Sequence, residues 1–142
     1  MTVMLRQASA IDADALTACF AAAYAPYSDI GLPAVTEGLA DDIRDHHVWV
    51  ALVDGKVMGG IVLVLSDHAH IANLAVDPDA GGQGIGKSLI DRAIGTARAA
   101  GYARIDLTTH TMMEATQAYY QRLGWTETGR DGHKVYFAKQ LH

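Results

Sequence analysis

Cysteine is almost absent from this chain, because Cys19 is the only one among 142 residues. A lone thiol cannot form an intramolecular disulfide, which favours a reducing compartment, and we expect the protein in the cytoplasm. Cys19 lies within an apolar helical pattern, where a single cysteine is more often a small buried side chain than a nucleophile. The sequence therefore predicts no catalytic role for this thiol.

Long apolar segments and basic runs are missing too. The longest mostly apolar stretch, Val57 to Leu65, is about half as long as a bilayer span requires. No run of Lys and Arg occurs, and the formal net charge is −5. An acidic chain has no long-range field that gathers nucleic acid or an anionic membrane, so neither is an expected partner. The same field would suit a cationic acceptor such as an amine.

No composition shift, low-complexity tract or internal repeat divides the chain, so residues 1–142 are predicted to form one domain. Asp54-Gly55 and Asp131-Gly132 each lie between two β-rich runs, which is a strong signal for a hairpin. The patterns follow the order β, α, α, three strands, α, β, α, β, β. This order predicts an α/β fold with antiparallel strands at the front and a parallel pair across a strand–helix–strand crossover.

The first helix is expected after Ser9, which can cap it with Asp12 in the first turn. One face of this helix is predicted to carry the apolar residues Ile11, Leu16, Cys19, Phe20 and Ala23. A loop follows, and then a short helix is predicted from Val35 to Arg44. Both helices would precede the first hairpin.

A glycine-rich run from Gly81 to Ser88 opens the next helix. Glycines let a ligand approach backbone N–H groups without interference from Cβ atoms. The first turn of a helix adds unpaired N–H donors and the positive end of its dipole. The run therefore predicts a site that holds phosphate groups through local dipoles.

Two phosphate-binding motifs overlap in this run. The spacing from Gly81 to Gly86-Lys87-Ser88 satisfies the P-loop of nucleoside-triphosphate-binding proteins, in which Lys87 would contact phosphates and Ser88 would bind Mg²⁺. Asp77-Pro78 argues against that interpretation, because it breaks the preceding strand before the loop begins. A P-loop protein built on Gly81 to Ser88 is kept as an alternative.

The same run resembles the acyl-coenzyme A signature of the GCN5-related N-acetyltransferase (GNAT) superfamily, V-x-P-x-x-R/Q-G-x-G-I/V-G. The matching residues are Val76, Pro78, Gly82, Gly84, Ile85 and Gly86. Gly81 stands where the family usually has Arg or Gln. The segment from Ala23 to Tyr27 is similar to the first-helix exit of a bacterial branch of the superfamily, and Tyr119 to Trp125 is similar to its LYxRLGY segment.

The resemblance implies the GNAT fold: a mixed central sheet with antiparallel front strands, a parallel and splayed pair of fourth and fifth strands, and about four flanking helices. It implies acetyl-coenzyme A (acetyl-CoA) as cosubstrate, bound along the fourth strand by Leu74, Ala75 and Val76, much as a peptide adds to a sheet edge. The residues implied to bind the rest of the cosubstrate are Gly82, Gln83, Gly84, Ile85, Gly86, Lys87, Ser88 and Thr116.

In such a family the acceptor amine attacks the thioester directly within a ternary complex. The N–H near Leu74 would stabilise the oxyanion, and Tyr120 occupies the position of the family's acid. The common base, a Glu of the fourth strand, would fall at Ala72. His70, on the same strand face if no bulge intervenes, and Asn73, which could position a water, are the remaining candidates.

The resemblance also implies that Tyr24 and Tyr27 form one wall of the acceptor site, while Tyr119 is expected to pack in the core. The acceptor would be a small-molecule amine or a protein amine, and the assembly a monomer or a homodimer. No metal is expected, because His68 and His70 lack a third ligand at a suitable spacing. A non-catalytic acyl-CoA-binding module stays a second alternative.

Overall fold

A computed structural model describes residues 3–26 and 38–141 of the chain. These residues form four α-helices and seven strands: β1 Val3–Gln7, α1 Ala13–Tyr24, α2 Leu39–Asp45, β2 His47–Val53, β3 Lys56–Leu65, β4 Ala69–Val76, α3 Ile85–Ala99, β5 Arg104–His110, α4 Glu114–Arg122, β6 Thr126–Asp131 and β7 Lys134–Gln140. The predicted start of α2 at Val35 lies outside the described residues. Within the described part, no helix is long and apolar enough to cross a membrane.

All seven strands form one sheet in the order β1-β2-β3-β4-β5-β7-β6. Neighbouring strands are antiparallel except β4 and β5, which are parallel. The turn between β2 and β3 has positive φ at both Asp54 and Gly55, 52° and 82°, as a type I′ hairpin turn requires. The predicted mixed sheet, with its antiparallel front strands and its parallel pair, is confirmed.

β4 and β5 separate soon after they begin. Their pairing joins three residues of each strand and ends at Ile71 and Leu107. β4 also carries a bulge at Ala72, because its register against β3 skips this residue between Ile71 and Asn73. An extra residue in one strand bends that strand and increases its twist. The carboxyl-terminal halves of β4 and β5 therefore diverge and leave an open gap between them.

Helices cover both faces of the sheet. The core between α3 and the sheet includes Leu89, Ile105, Leu107, Val135 and Phe137. The core between the sheet and helices α1 and α2 includes Leu16, Phe20, Leu39, Val50 and Val62. β3 is closely covered on both sides, because a Cβ atom at Gly59 would lie 2.8 Å from Ile85 and one at Gly60 would clash with Leu16.

The first helix begins later than the sequence pattern predicts. Ile11 lies in a 3-10 turn, Ala10–Asp12, and is 89% exposed, so its predicted place on the inner face is wrong. Asp12 ends this turn and accepts hydrogen bonds from the Ser9 backbone N–H at 2.8 Å and from both terminal nitrogens of Arg6 at 2.7 and 2.8 Å. This clamp fixes the start of α1 at Ala13.

Cys19 is buried on the inner face of α1, as the apolar pattern predicts. Burial, together with the nearby charge of Asp77, raises the pKa of the thiol to about 11. The thiolate is the nucleophilic form of cysteine, so this side chain is protonated near neutral pH. Its place in the fold is that of a small apolar residue.

Candidate active site

A cavity of about 850 Å³ opens between the diverging ends of β4 and β5. This volume lies within the usual range for small-molecule sites. Its walls come from the end of α1, the second half of β4, the glycine run, the end of β5, α4 and the start of β7. The predicted site residues that line it are Tyr24, Asn73, Leu74, Ala75, Val76, Gly82, Gln83, Gly84, Ile85, Gly86, Thr116 and Tyr120.

The glycine run forms one end of this cavity. Gly82 and Gly84 have φ of 80° and 72°, in the left-handed region that glycine adopts without a steric penalty. The N–H of Ser88 donates to the carbonyl of Gly84 at 3.0 Å, at the start of α3. By helix geometry the N–H groups from Ile85 to Lys87 precede this bond and lack acceptors within the helix. They are positioned to bind an anion.

Lys87 and Ser88 do not line the cavity. The Nζ of Lys87 lies 2.8 Å from Asp91 Oδ2, and both side chains are more than half exposed on the surface of α3. Asp91 also raises the pKa of Lys87. The backbone N–H of Ser88 is already donated within the helix. The arrangement therefore gives no support to a P-loop, in which both side chains contact the ligand.

The open edge of β4 forms a second wall. The hydroxyl of Tyr24 donates to the carbonyl of Leu74 at 3.1 Å, from the side of the cavity. In an antiparallel strand, the N–H and C=O groups of one residue point to the same side. Leu74, and Val76 two residues further on, therefore present both groups to the gap and not to β3.

His70 lies outside the cavity. It belongs to the part of β4 that is still paired with β5, opposite Asp106. The bulge at Ala72 lies between His70 and the cavity-lining part of β4, and it interrupts the alternation of side chains on which the assignment of His70 depended. Partial desolvation by neighbouring atoms lowers the pKa of His70 although the residue is exposed, and its position gives no support to a role as the base. Asn73 does line the cavity.

Tyr120 lies on the inner side of α4 and is 6% exposed. Its ring packs edge-on against Trp125, with 5.8 Å between ring centroids, and is tilted against Phe137 at 6.0 Å. Burial, with smaller contributions from Tyr24 and Tyr119, raises the pKa of Tyr120 well above its ordinary value. The phenol thus keeps its proton near neutral pH, and its orientation is fixed by aromatic packing.

A profile of the acetyltransferase (GNAT) family matches residues 14–125 of the chain. The chain belongs to this family. It is 34% identical to the peptidyl-lysine N-acetyltransferase YjaB of Salmonella typhimurium over 96 residues, which span 66% of this chain but only 60% of YjaB. It is 31% identical to the aminoalkylphosphonate N-acetyltransferase of the same organism over 110 residues, 71% of each chain.

Solved structures agree with this GNAT assignment at the level of the fold. The chain superposes on the PaiA N-acetyltransferase of Thermoplasma acidophilum, crystallised in complex with coenzyme A, with a TM-score of 0.88. The identity is 19%, and 99% of each chain is covered. Since identity is this low, the comparison shows the GNAT fold alone.

Several cavity residues of this GNAT protein are not among those that the sequence singles out. Tyr119, expected only in the core, packs against the core but also lines the cavity. His110, His133 and Lys134 line the wall formed by β5 and β7. The only sequence signal for these three is their place at predicted strand ends, which is common for surface residues. Tyr27 lies outside the described residues.

Proposed function

We propose that this GNAT protein is an N-acetyltransferase that transfers an acetyl group from acetyl-CoA to a primary amine. The observation that carries the proposal is a continuous cavity that runs from the glycine run, along the open edge of β4, to the hydroxyl-bearing face of α4. A backbone anion site, a free strand edge and a proton donor are the three features that a bound thioester of this kind needs. They meet in one cavity.

The residues present fit acetyl-CoA. The N–H groups of the glycine run suit its pyrophosphate, while the exposed groups of Val76 suit an amide of its pantetheine arm and leave the N–H of Leu74 for the thioester oxygen. The start of α3 lies close to the facing helix, since a Cβ atom at Gly86 would make a tight contact of 3.0 Å with the Tyr119 hydroxyl. Thr116 adds a hydroxyl on the facing helix.

The catalytic steps divide among few groups. Acetyl-CoA supplies an activated thioester, which a neutral amine attacks directly within a ternary complex. The N–H of Leu74 donates to the oxygen on which negative charge develops. Tyr120 donates its proton to the departing sulfur, for which position matters more than acidity because its pKa is raised. Asn73 orients a water that takes the proton of the amine.

The acceptor in this proposal is a small-molecule amine or an amine of a protein, with Tyr24 on one wall of its site. The names of two relatives span both classes, since one acts on peptidyl-lysine and the other on aminoalkylphosphonates. The aligned part covers less than two thirds of YjaB, so its substrate is not transferred to this chain. The cytoplasmic location, the single domain and the monomeric or homodimeric state remain predictions from the sequence.

Release of free thiol from acetyl-CoA, measured across a panel of amines, tests the proposal. We expect release that depends on the amine, with the acetylated product detected by mass spectrometry. Calorimetry with acetyl-CoA and with ATP and Mg²⁺ separates the alternatives. Binding of ATP with Mg²⁺ and not of acetyl-CoA would establish the P-loop alternative. Binding of acetyl-CoA without transfer to any amine would leave a non-catalytic binding module.

A further inference from the structure

We propose that His110, His133 and Lys134 form a subsite for an oxyanion carried by the acceptor. The preferred acceptors are then small amines that bear a carboxylate or a phosphonate close to the amine. The inference rests on the proposed function, since it names the substrate class of the same cavity. All three residues line that cavity, on the wall opposite β4.

The subsite lies at the level of the reacting centre. The last residues that pair β4 with β5 are Ile71 and Leu107. His110 follows Leu107 by three residues, which is about 10 Å at the usual rise of a strand. Leu74 also follows Ile71 by three residues, but the bulge at Ala72 takes up one of them, so Leu74 lies somewhat less far along the gap. Both residues line the same cavity on opposite strands, which places His110 to contact an acceptor whose amine lies at the thioester.

The side chains point to the face from which α1 approaches. Leu107 and Val135 belong to the core under α3, on the other face of the sheet. Because side chains alternate along a strand, His110 and Lys134 lie on the face that carries Tyr24. They are cross-strand partners of β5 and β7, so their Cβ atoms lie about 5 Å apart.

The hydrogen bonding of His110 makes it a donor toward a ligand. The backbone N–H of Met112 donates to its Nδ1 at 3.0 Å. A neutral imidazole that accepts at Nδ1 carries its proton on Nε2, which can then donate to an oxygen atom. The ring of His133 stacks on that of His110 with 5.2 Å between centroids and 5° between planes. This stack holds the orientation of the donor.

The charge of the cavity wall is opposite to that of the whole chain. No Asp or Glu occurs among the described residues that line the cavity, and Lys134 is the only Lys or Arg there. The described residues also offer no third ligand that would turn the histidine pair into a metal site. Asp131, the cross-strand partner of Lys134 on β6, does not line the cavity. An anionic group of the acceptor thus meets hydrogen-bond donors and no carboxylate on the described cavity wall itself.

Matched pairs of acceptors test the subsite. Glycine is compared with glycinamide, and 2-aminoethylphosphonate with ethanolamine, with spermidine as a cationic amine. Rates are expressed per neutral amine, because the anionic group raises the pKa of its neighbour. The variants are Lys134→Met and His110→Gln, and the matched controls are Lys56→Met and His68→Gln, which lie outside the cavity. Thermal unfolding establishes that each variant is folded.

We expect the anionic member of at least one pair to be acetylated with a kcat/KM about tenfold higher than its neutral partner, since hydrogen bonds to charged groups are strong. Lys134→Met and His110→Gln should reduce this ratio about fivefold or more through the KM of the acceptor, with the KM of acetyl-CoA unchanged. The ratio should persist in both controls. A higher ratio in the glycine pair would indicate a subsite for a carboxylate, and a higher ratio in the 2-aminoethylphosphonate pair would indicate a subsite for a phosphonate.

Equal rates within both pairs, or a ratio unchanged in both cavity variants, would overturn the subsite while leaving the proposed function intact. If none of these five acceptors is acetylated while another small amine or a protein amine is, the subsite is wrong and the proposed function stands; if no amine of either class is acetylated, the proposed function itself is wrong. Binding gives an independent readout that needs no turnover. With coenzyme A present, N-acetylglycine should shift the imidazole ¹⁵N resonances of His110 and N-acetylglycinamide should not. Identical shifts would also contradict the subsite.

Discussion

The hydroxyl of Tyr24 donates a 3.1 Å hydrogen bond to the carbonyl of Leu74 and so ties the end of α1 to the open edge of β4. Leu74 is the residue whose N–H is proposed to stabilise the oxyanion. The bond therefore connects the wall of the acceptor site to the reacting centre. It fixes the strand just beyond the bulge at Ala72, where pairing with β5 has ended.

Replacing Tyr24 with Phe removes this bond and keeps the ring. We expect kcat to fall about three- to tenfold, because a neutral hydrogen bond contributes about 0.5–1.5 kcal/mol and its loss lets Leu74 move. Steady-state kinetics check this. Tyr102→Phe is the control, since its hydroxyl also donates to a backbone carbonyl, that of Ser66, but outside the cavity. An equal fall of kcat in both variants would contradict the account.

Replacing Tyr120 with Phe removes the proposed acid. We expect kcat to fall about a hundredfold, the usual contribution of a positioned acid, with little change in acetyl-CoA binding by calorimetry. Since burial raises the pKa of Tyr120, its ionisation should not limit the rate below its ordinary pKa of about 10. The control is Tyr119→Phe, next to it on α4. Unchanged kcat in Tyr120→Phe would remove this residue from the mechanism.

Replacing Gly82 with Ala forces a side chain into a positive-φ conformation, at a cost of about 1–2 kcal/mol. We expect the dissociation constant of acetyl-CoA to rise about tenfold, because the loop relaxes and its N–H groups turn away. Calorimetry measures this change. Gly95→Ala is the control, since Gly95 lies inside α3 with nothing near its Cβ position. It should leave affinity unchanged and stabilise the helix by about 0.5–1 kcal/mol.

The Arg6–Asp12 clamp makes stability depend on acidity. The hydrogen bonds from Arg6 lower the pKa of Asp12 from 3.8 to about 2. A carboxyl group whose pKa is lowered by folding stabilises the fold at pH values above its ordinary pKa. This stabilisation is lost as the pH falls toward the pKa of the group in the folded protein. Near neutral pH, Asp12→Asn should reduce the free energy of unfolding by about 1–2 kcal/mol, allowing for the partly exposed arginine.

Denaturant unfolding as a function of pH measures the effect of Asp12→Asn. Its difference from the wild type should shrink as the pH is lowered from about 4 toward 2, the window set by the two pKa values. The control Asp45→Asn changes an exposed partner of Arg44 and should have little effect. A difference for Asp12→Asn that does not depend on pH would contradict the role of this carboxylate.

Much of the fold could be predicted because its signals are local. Asp54-Gly55 specifies a turn with two positive φ angles, and the glycine run marks the start of α3. The apolar periodicity wrongly places Ile11 on the inner face of α1, because the contact between Asp12 and Arg6 determines where this helix begins. Periodicity of apolar residues gives no information about such a polar contact.

The cavity was predicted less completely, since two of its features depend on strand register. The bulge at Ala72, which separates His70 from the cavity, arises from the pairing with β3. The sequence of β4 alone gives no signal for it. His110 and Lys134 are distant in sequence and meet only because β5 pairs with β7. Sequence motifs were sufficient to predict the residues on the cosubstrate side of the cavity. The residues on the acceptor side could be identified only from the strand pairing of the folded sheet.

The central claim is direct transfer from acetyl-CoA to an amine in a ternary complex. Initial rates measured over a grid of acetyl-CoA and amine concentrations, with intact-protein mass spectrometry during turnover, test it most directly. The account predicts intersecting double-reciprocal lines, an acetylated amine and a protein of unchanged mass. Parallel lines together with a protein carrying an acetyl group would contradict it.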